Sequence, residues 1–293
     1  MLPLESVPNF SEGRDRATIA AIAAALERHV RLLDVHVDVD HNRSVFTVVG
    51  GDGELVEALA GAAAVAVGAI DLGSHEGAHP HIGAVDVVPI VPLRPGDRER
   101  ADRAARNVGE RLGELGLPVF LYDPPARGPA FYRRGGLGEV GRRLETGDLV
   151  PDFGPARLHP TAGAAIVGAR APLIAFNVDI RGPLQAAQAA AAAVRERDGG
   201  FPGVRALGLE LPSRGLVQVS MNVEDWEAAA LDEILERIEA EVTRGGGEVV
   251  GTELVGLMPA GAAAAVAGAA LGLDGFDDSK LIELRLLEGA EDA

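Results

Sequence analysis

Val204–Val223 reads VRALGLELPSRGLVQVSMNV. Val204–Leu211 and Leu216–Val223 are strand-like runs, and Pro212–Gly215 supplies a tight turn between them, so the stretch predicts a β-hairpin. Working outward, Pro183–Arg197 and Trp226–Arg244 carry helical patterns, and Leu173–Ile180 and Glu248–Leu257 read as strands. The resulting order, β-α-β-β-α-β, is that of a split βαβ or ferredoxin-like unit. A further helix is expected at Ala260–Leu271. The first part of the chain repeats the order. Leu4–Val7, Arg31–Asp38, Arg43–Gly50 and Ala84–Pro92 read as strands, and Arg14–Arg28 and Glu54–Ile70 as helices. A helix at Asp97–Leu115 and a strand at Pro118–Tyr122 follow. Between the two parts, Asp123–Gly163 is rich in Gly, Pro and Arg, with one short helix pattern at Leu137–Leu144. An irregular stretch of that length is usually functional or a linker.

The pattern therefore predicts an α+β protein of two ferredoxin-like subdomains, residues 1–168 and 169–293. Each is expected to be a sheet with helices on one face and parallel strand pairings. The uncovered sheet faces are expected to flank a cleft between the subdomains, a common place for ligands.

Composition narrows the function. Among 293 residues, 44 acidic side chains against 27 basic ones give a net charge of −17. That weighs against nucleic acid, which needs a broad basic surface, and against an anionic membrane. A small anion needs only a local basic pocket and stays open. Cysteine is absent, which removes disulfides, thiolate catalysis and cysteine-bound metals. The start, MLPLESVPNF, has neither a basic nor a long apolar stretch, so a cytoplasmic location is expected. No run offers the roughly 20 strongly apolar residues of a membrane span.

The densest polar cluster is SHEGAHPHIG, Ser74–Gly83, between a helix and a strand. Its histidines suit proton transfer near neutrality. With Asp71, Glu76 and Asp86 nearby they also have the donor types of a zinc site, and solvated loop histidines are the third reading. A second cluster, DVDHNR at Asp38–Arg43, lies in a turn. Its carboxylates could orient a histidine, or simply serve the turn. A third, NFSEGR at Asn9–Arg14, precedes a helix for which Ser11 or Asn9 is the expected N-cap. A fourth runs from PDFGP, Pro151–Pro155, to Arg170, whose guanidinium could hold a carboxylate. Neither phosphate-cradling glycine motif nor a G-x-S-x-G elbow occurs.

Taken together, VPNFSEGR (Val7–Arg14), DHNRSV (Asp40–Val45), H-x-G-x-H-P (His75–Pro80), G-A-x-D (Gly83–Asp86), PDFGP, GAR…LIAFNV (Gly168–Val178), VQVSMN (Val217–Asn222) and LVGLMP (Leu254–Pro259) resemble the glutamate formimidoyltransferases. The resemblance runs through nearly the whole chain in the same order. It implies two subdomains with folate bound between them. The implied reaction is transfer of a formimino group between N-formimino-L-glutamate and tetrahydrofolate, without a metal. It places the catalytic base on His79. It places the folate loop on Gly154, Pro155, Ala156, Arg157, Leu158, His159, Pro160, Thr161, Ala162 and Gly163. An aspartate that orients the base in animal enzymes falls on His36, which leaves that role to Asp38 or Asp40. Asn9, Arg43 and Arg170 are the candidates for substrate binding. The family usually reads HKGEHPR where this chain has HEGAHPH, so Glu76, Ala78 and His81 are departures. They leave a relative of altered substrate, or a non-catalytic folate- or anion-binding homologue, as the alternative. The resemblance further implies a homodimer and a single-function form without the cyclodeaminase domain.

Overall fold

The computed structural model describes residues 2–123, 127–273, 275–282 and 284–285. They divide into two compact units, Met1–Ala171 and Pro172–Ala293.

In the first unit the opening strand comes in two pieces, β1 (Leu4–Ser6) and β2 (Asn9–Phe10). Pro8 separates them because it has no N–H to give the ladder. Both pieces lie antiparallel between the same neighbours, β4 and β5. Helix α1 (Arg16–Glu27) leads to β3 (Arg31–Asp38) and β4 (Arg43–Gly50), which pair antiparallel. Its N-cap is Asp15, whose carboxylate accepts from the Ala17 N–H at 2.9 Å; neither Ser11 nor Asn9 has that role. Helix α2 (Asp52–Ala69) returns the chain to β5 (Val85–Pro92). After α3 (Arg98–Glu114) come β6 (Val119–Leu121), α4 (Pro129–Arg133), α5 (Gly136–Glu145) and β7 (Ala165–Ala169).

The sheet therefore runs β3-β4-β1/β2-β5-β7-β6. Its core order is antiparallel, and only the added β5–β7 and β7–β6 pairs are parallel. The helices do not all lie on one face. Val119, Ala165 and Val167 pack on the α3 side, in the core shared with α1 and α2, whereas the alternate residues Phe120 and Ile166 pack with Tyr132, Val140 and Leu144 of α4 and α5. The period of two along a strand puts those sets on opposite faces. Two helices within the stretch expected to be irregular thus form a second covering layer.

In the second unit, β8 (Ile174–Arg181), α6 (Leu184–Val194), β9 (Val204–Leu211), β10 (Leu216–Val223), α7 (Leu231–Arg244) and β11 (Glu248–Val255) are followed by α8 (Ala260–Leu271). The sheet order is β11-β8-β10-β9, and every pairing is antiparallel. The parallel pairing expected here does not occur, because β10 inserts between β8 and β9, the two strands that run the same way. Helix α7 begins at Leu231, later than its pattern suggested. The Asp225 carboxylate instead accepts from the Ala228 N–H at 3.1 Å and holds a turn there. Ile174, Val178 and Ile180 meet Ala187, Ala190, Ile234 and Ile238 in the core. The opposite face of β8 and β10 buries Asn177, Asp179 and Gln218. No described helix is long and apolar enough to cross a membrane.

Candidate active site

Three loops of the first unit meet at one place. The loop after β2 brings Gly13 so close to the β3–β4 turn that a Cβ on it would lie 2.1 Å from the Asp38 carbonyl oxygen. Gly77 of the histidine loop approaches the same turn from another side, and its Cβ would lie 2.4 Å from the His41 carbonyl. Asn42 joins the three. Its Oδ1 accepts from the Gly13 N–H at 2.9 Å and its Nδ2 donates to the Glu76 carbonyl at 3.0 Å. It does so from a left-handed backbone, φ 48°, a conformation asparagine tolerates better than most residues. Its own carbonyl accepts from His75 Nε2 at 3.0 Å.

These contacts form a concavity of about 180 Å3 lined by Ser11, His41, Asn42, Arg43, His79, His81 and Asp86. That volume includes space open to solvent, and the side chains close on one another so tightly that the concavity leaves no room for a water molecule; a ligand group reaches His79 only when a neighbouring side chain moves aside. Ser11 Oγ donates to the Gly83 carbonyl at 2.7 Å and ties the floor to the entrance of β5. Asp86, only 2% exposed, accepts from the Ile82 N–H at 2.8 Å and forms an ion pair with Arg133 from α4. His41 stacks on His79 with ring centroids 5.8 Å apart, and His75 meets His81 edge-on at 4.2 Å.

His79 is the half-buried centre of this arrangement. Arg43 Nη1 lies 2.9 Å from its Nε2. A guanidinium has no acceptor, so the hydrogen bond runs from Arg43 into the Nε2 lone pair, and the neutral ring carries its proton on Nδ1. Burial pushes the His79 pKa well below the ordinary histidine value; the Arg43 and Arg133 cations and His41 push the same way, while the Pro80 carbonyl opposes them. The basicity of His75 is also lowered, chiefly by burial.

The other residues singled out in the sequence fall in several places. Asp38 accepts from the His41 N–H at 2.7 Å and fixes the turn that presents His41. The Asp40 carbonyl accepts from the Ala78 N–H at 3.0 Å, which pins the histidine loop. Asn9 lies inside the sheet, its Nδ2 donating to the Val7 carbonyl at 2.8 Å. Arg170 follows β7, beyond the Ala169–Ile90 pair, four residues along β5 from Asp86. Its Nη1 donates to the Ala171 carbonyl at 2.9 Å, Glu5 is a charged neighbour, and it is not among the residues that line the concavity around His79.

The 154–163 loop is sewn to the histidine loop. Leu72 N–H donates to Thr161 O at 2.8 Å, Ala84 N–H to Ala162 O at 2.9 Å, and Ala164 N–H to Ile82 O at 2.9 Å. His159 Nδ1 accepts from the Ala162 N–H at 3.0 Å and closes the loop on itself. Leu158 packs toward α5 at Gly141. Ser11, His41 and Asn42, which line the concavity, and Arg133, which pairs with Asp86 behind it, had drawn no such role from the sequence. The signal available for His41 was the unbroken run DHNR, more polar side chains than a turn needs. Nothing local signals Arg133, whose partner is 47 residues away.

The geometry suits proton transfer better than metal binding. His79 Nε2 faces a guanidinium and His75 Nε2 faces a carbonyl, and a fixed cation beside one donor opposes a second cation there.

Comparison with known proteins gives one consistent likeness. A family model described as the formiminotransferase domain, N-terminal subdomain, matches residues 3–170, and one described as the formiminotransferase domain matches residues 175–270. The chain is 39% identical over 288 residues to a glutamate formimidoyltransferase of Streptococcus pyogenes serotype M1, covering 95% of this chain and 96% of that protein. It is 37% identical to one from Thermoplasma acidophilum, covering 98% of each. Against the formimidoyltransferase-cyclodeaminase of Sus scrofa it is 38% identical, over 87% of this chain and 50% of that protein.

Proposed function

The chain belongs to the formiminotransferase family and is a transferase, and from that premise we propose that it moves a formimino group between N-formimino-L-glutamate and tetrahydrofolate, with His79 as base and acid. The observation that carries the reading is a neutral, half-buried imidazole whose Nε2 is held beside a guanidinium in a pocket built by three converging loops.

The chemistry follows from those groups. An amine nitrogen of tetrahydrofolate attacks the amidine carbon, and the new C–N bond leaves that nitrogen with a proton to lose. His79 Nε2 takes it and returns it to the glutamate nitrogen as the second C–N bond breaks. Such acid–base help is worth roughly 10²–10⁴ in rate, and holding both partners in place supplies much of the remainder. Arg43 is the group for a glutamate carboxylate, since a guanidinium fork matches carboxylate geometry. The 154–163 loop, stitched at Leu72 and Ala84 to the histidine loop, is the proposed folate contact. Each unit is read as a ferredoxin-like subdomain, on the shared strand order of their cores.

His79→Ala is expected to lower turnover by about 10²–10⁴ with the melting temperature close to that of the parent. Near-normal turnover in that variant, measured with formiminoglutamate against formylglutamate and glutamate, removes the base assignment. The alternative is a folate- or anion-binding homologue without transfer, which the occupied Nε2 also suits. Calorimetric binding of tetrahydrofolate with no formimino transfer would select it.

A further inference from the structure

We propose that Arg43 keeps His79 silent until a carboxylate of the substrate takes the guanidinium, so that binding of the glutamate portion itself uncovers the base. The identity of the substrate rests on the reading above; the interlock rests on the geometry alone.

The lone pair that must accept the proton is the one already receiving Arg43 Nη1–H at 2.9 Å. While that bond stands, Nε2 accepts nothing else, and the adjacent cation opposes a charge on the ring. The other groups facing the ring do not supply a counter-charge. His41 stacks on it from the β3–β4 turn, and Arg133 contributes a second cation from α4. Asp86, the carboxylate among the pocket walls, is committed to Arg133 and to the Ile82 N–H. His81 is turned toward its own loop, on the His79 carbonyl at 3.2 Å and the His75 ring.

A carboxylate competes well for Arg43. It offers two anionic oxygens to a planar fork and replaces one neutral acceptor by charge-assisted bonds. Its arrival frees the Nε2 lone pair and neutralises the nearest cation, and both changes raise the basicity of the ring. The proton count closes. The neutral ring, protonated on Nδ1, gains the proton of the attacking nitrogen on Nε2 and then gives it to the departing glutamate nitrogen. The ring ends as it began, and Arg43 returns when the carboxylate leaves. A substrate lacking the carboxylate would meet a covered base.

The test is proton–carbon NMR of the histidine Cε1 resonances in the full chain, titrated with and without glutarate. That dicarboxylate carries no formimino group and undergoes no transfer. His79→Gln assigns the resonance, and calorimetry records whether glutarate binds. Saturating glutarate is expected to raise the His79 proton affinity about tenfold or more, the effect of an added opposite charge nearby. In Arg43→Gln the affinity should already be raised, glutarate should add nothing, and any acid limb of kcat/KM should move to higher pH. Arg43→Lys, which cannot present the fork, should show a reduced glutarate effect. The proposal fails if glutarate does not bind, if it binds and leaves His79 unmoved, or if Arg43→Gln responds as the parent does. Should Arg43→Gln not fold, the titration of the parent decides. A glutarate response in a protein that transfers no formimino group would overturn the assigned reaction and leave the interlock standing.

Discussion

The two units thread four core strands in one order, and the histidine-lined concavity described above belongs to the first of them. In the first the order is β3-β4-β1/β2-β5, in the second β9-β10-β8-β11. The difference lies at the strand ends. The second unit's opening strand, β8, is continuous. Its hairpin turn is short, and Arg214 reaches from that turn to Asp179, which also accepts from Gln218 Nε2 at 2.9 Å. The first unit's opening strand breaks at Pro8, so the chain after Phe10 bends toward the β3–β4 turn and meets the histidine loop. A shared scaffold thus carries a buried polar face in one copy and a histidine-lined concavity in the other, as expected when function resides in loops carried by a rigid sheet.

If that contrast is right, close approaches in the first unit cannot relax, whereas those in the second can. A Cβ on Gly83 would lie 1.8 Å from the Ala164 carbonyl oxygen and 2.7 Å from that of Val85. Both neighbours are backbone, and the Gly83 carbonyl is held by Ser11. Gly83→Ala is expected to cost about 3 kcal/mol, the upper part of the overpacking range, with loss of transfer activity. Gly208 in β9 faces the α6 backbone, Gln188 N at 2.6 Å. A helix riding on a sheet can shift, so Gly208→Ala is expected to cost roughly 1–2 kcal/mol. Urea unfolding of both variants checks the order, and the reverse order breaks the contrast.

Asn42 gives a finer test of the same junction. Asn42→Ala removes two hydrogen bonds that tie the loops, leaves donors and acceptors to find other partners, and places an alanine in left-handed backbone. A loss of about 2–3 kcal/mol is expected. Asn42→Gly loses the same bonds without the strain and should recover about 1 kcal/mol of that. Equal losses would show that the backbone geometry carries no cost. In the second unit, Asp179→Ala leaves Gln218 Nε2 buried without its acceptor, for about 1–3 kcal/mol. Asp179→Asn keeps an oxygen there and gives up only a half-exposed ion pair with Arg214, worth about 1 kcal/mol at most. Neither should move the pH dependence of transfer.

These variants also mark what could be read in the sequence. Arg31–Asp38, Arg43–Gly50, Val204–Leu211 and Leu216–Val223 are strands whose ends agree with the pattern, because alternation and turn residues are local signals. Strand β2 is two residues long and follows a proline, and β7 is a fully buried run of AIVGA without any alternation; neither has a period to detect. The density of histidines pointed to the loop around His79. That the ring's partner is Arg43, and that Asp86 is held by Arg133, depends on which strands become neighbours, and no local pattern carries that. Helix α5 was legible as the pattern at Leu137–Leu144; that it joins α4 as a second covering layer was hidden for the same reason, because only the fold sets the far side of the sheet against it.

A different kind of effect separates the units by acidity. All seven histidines, at 29, 36, 41, 75, 79, 81 and 159, belong to the first unit. His79 and His75 bind protons less readily in the folded chain than they do unfolded. Below the ordinary histidine value of about 6.5 the unfolded chain therefore holds more protons, and stability falls as the pH is lowered, by at most about 1.4 kcal/mol per pH unit for each proton excluded. The carboxyls held below their ordinary range, Asp15, Glu139 and Asp277, are exposed and act only at lower pH. Glu5, whose carboxyl pKa burial pushes up, opposes the loss toward pH 5 but lies in the same unit, so between pH 6.5 and about 5 the net change should appear in the first unit alone. Amide exchange at pH 5 and 7, corrected for intrinsic rates, should show reduced protection in β3, β4 and β5 with β8, β9 and β10 unchanged, and His79→Gln should flatten the dependence. Equal acid sensitivity in both units would mean that the imidazoles of the pocket are not what distinguishes one copy of the scaffold from the other.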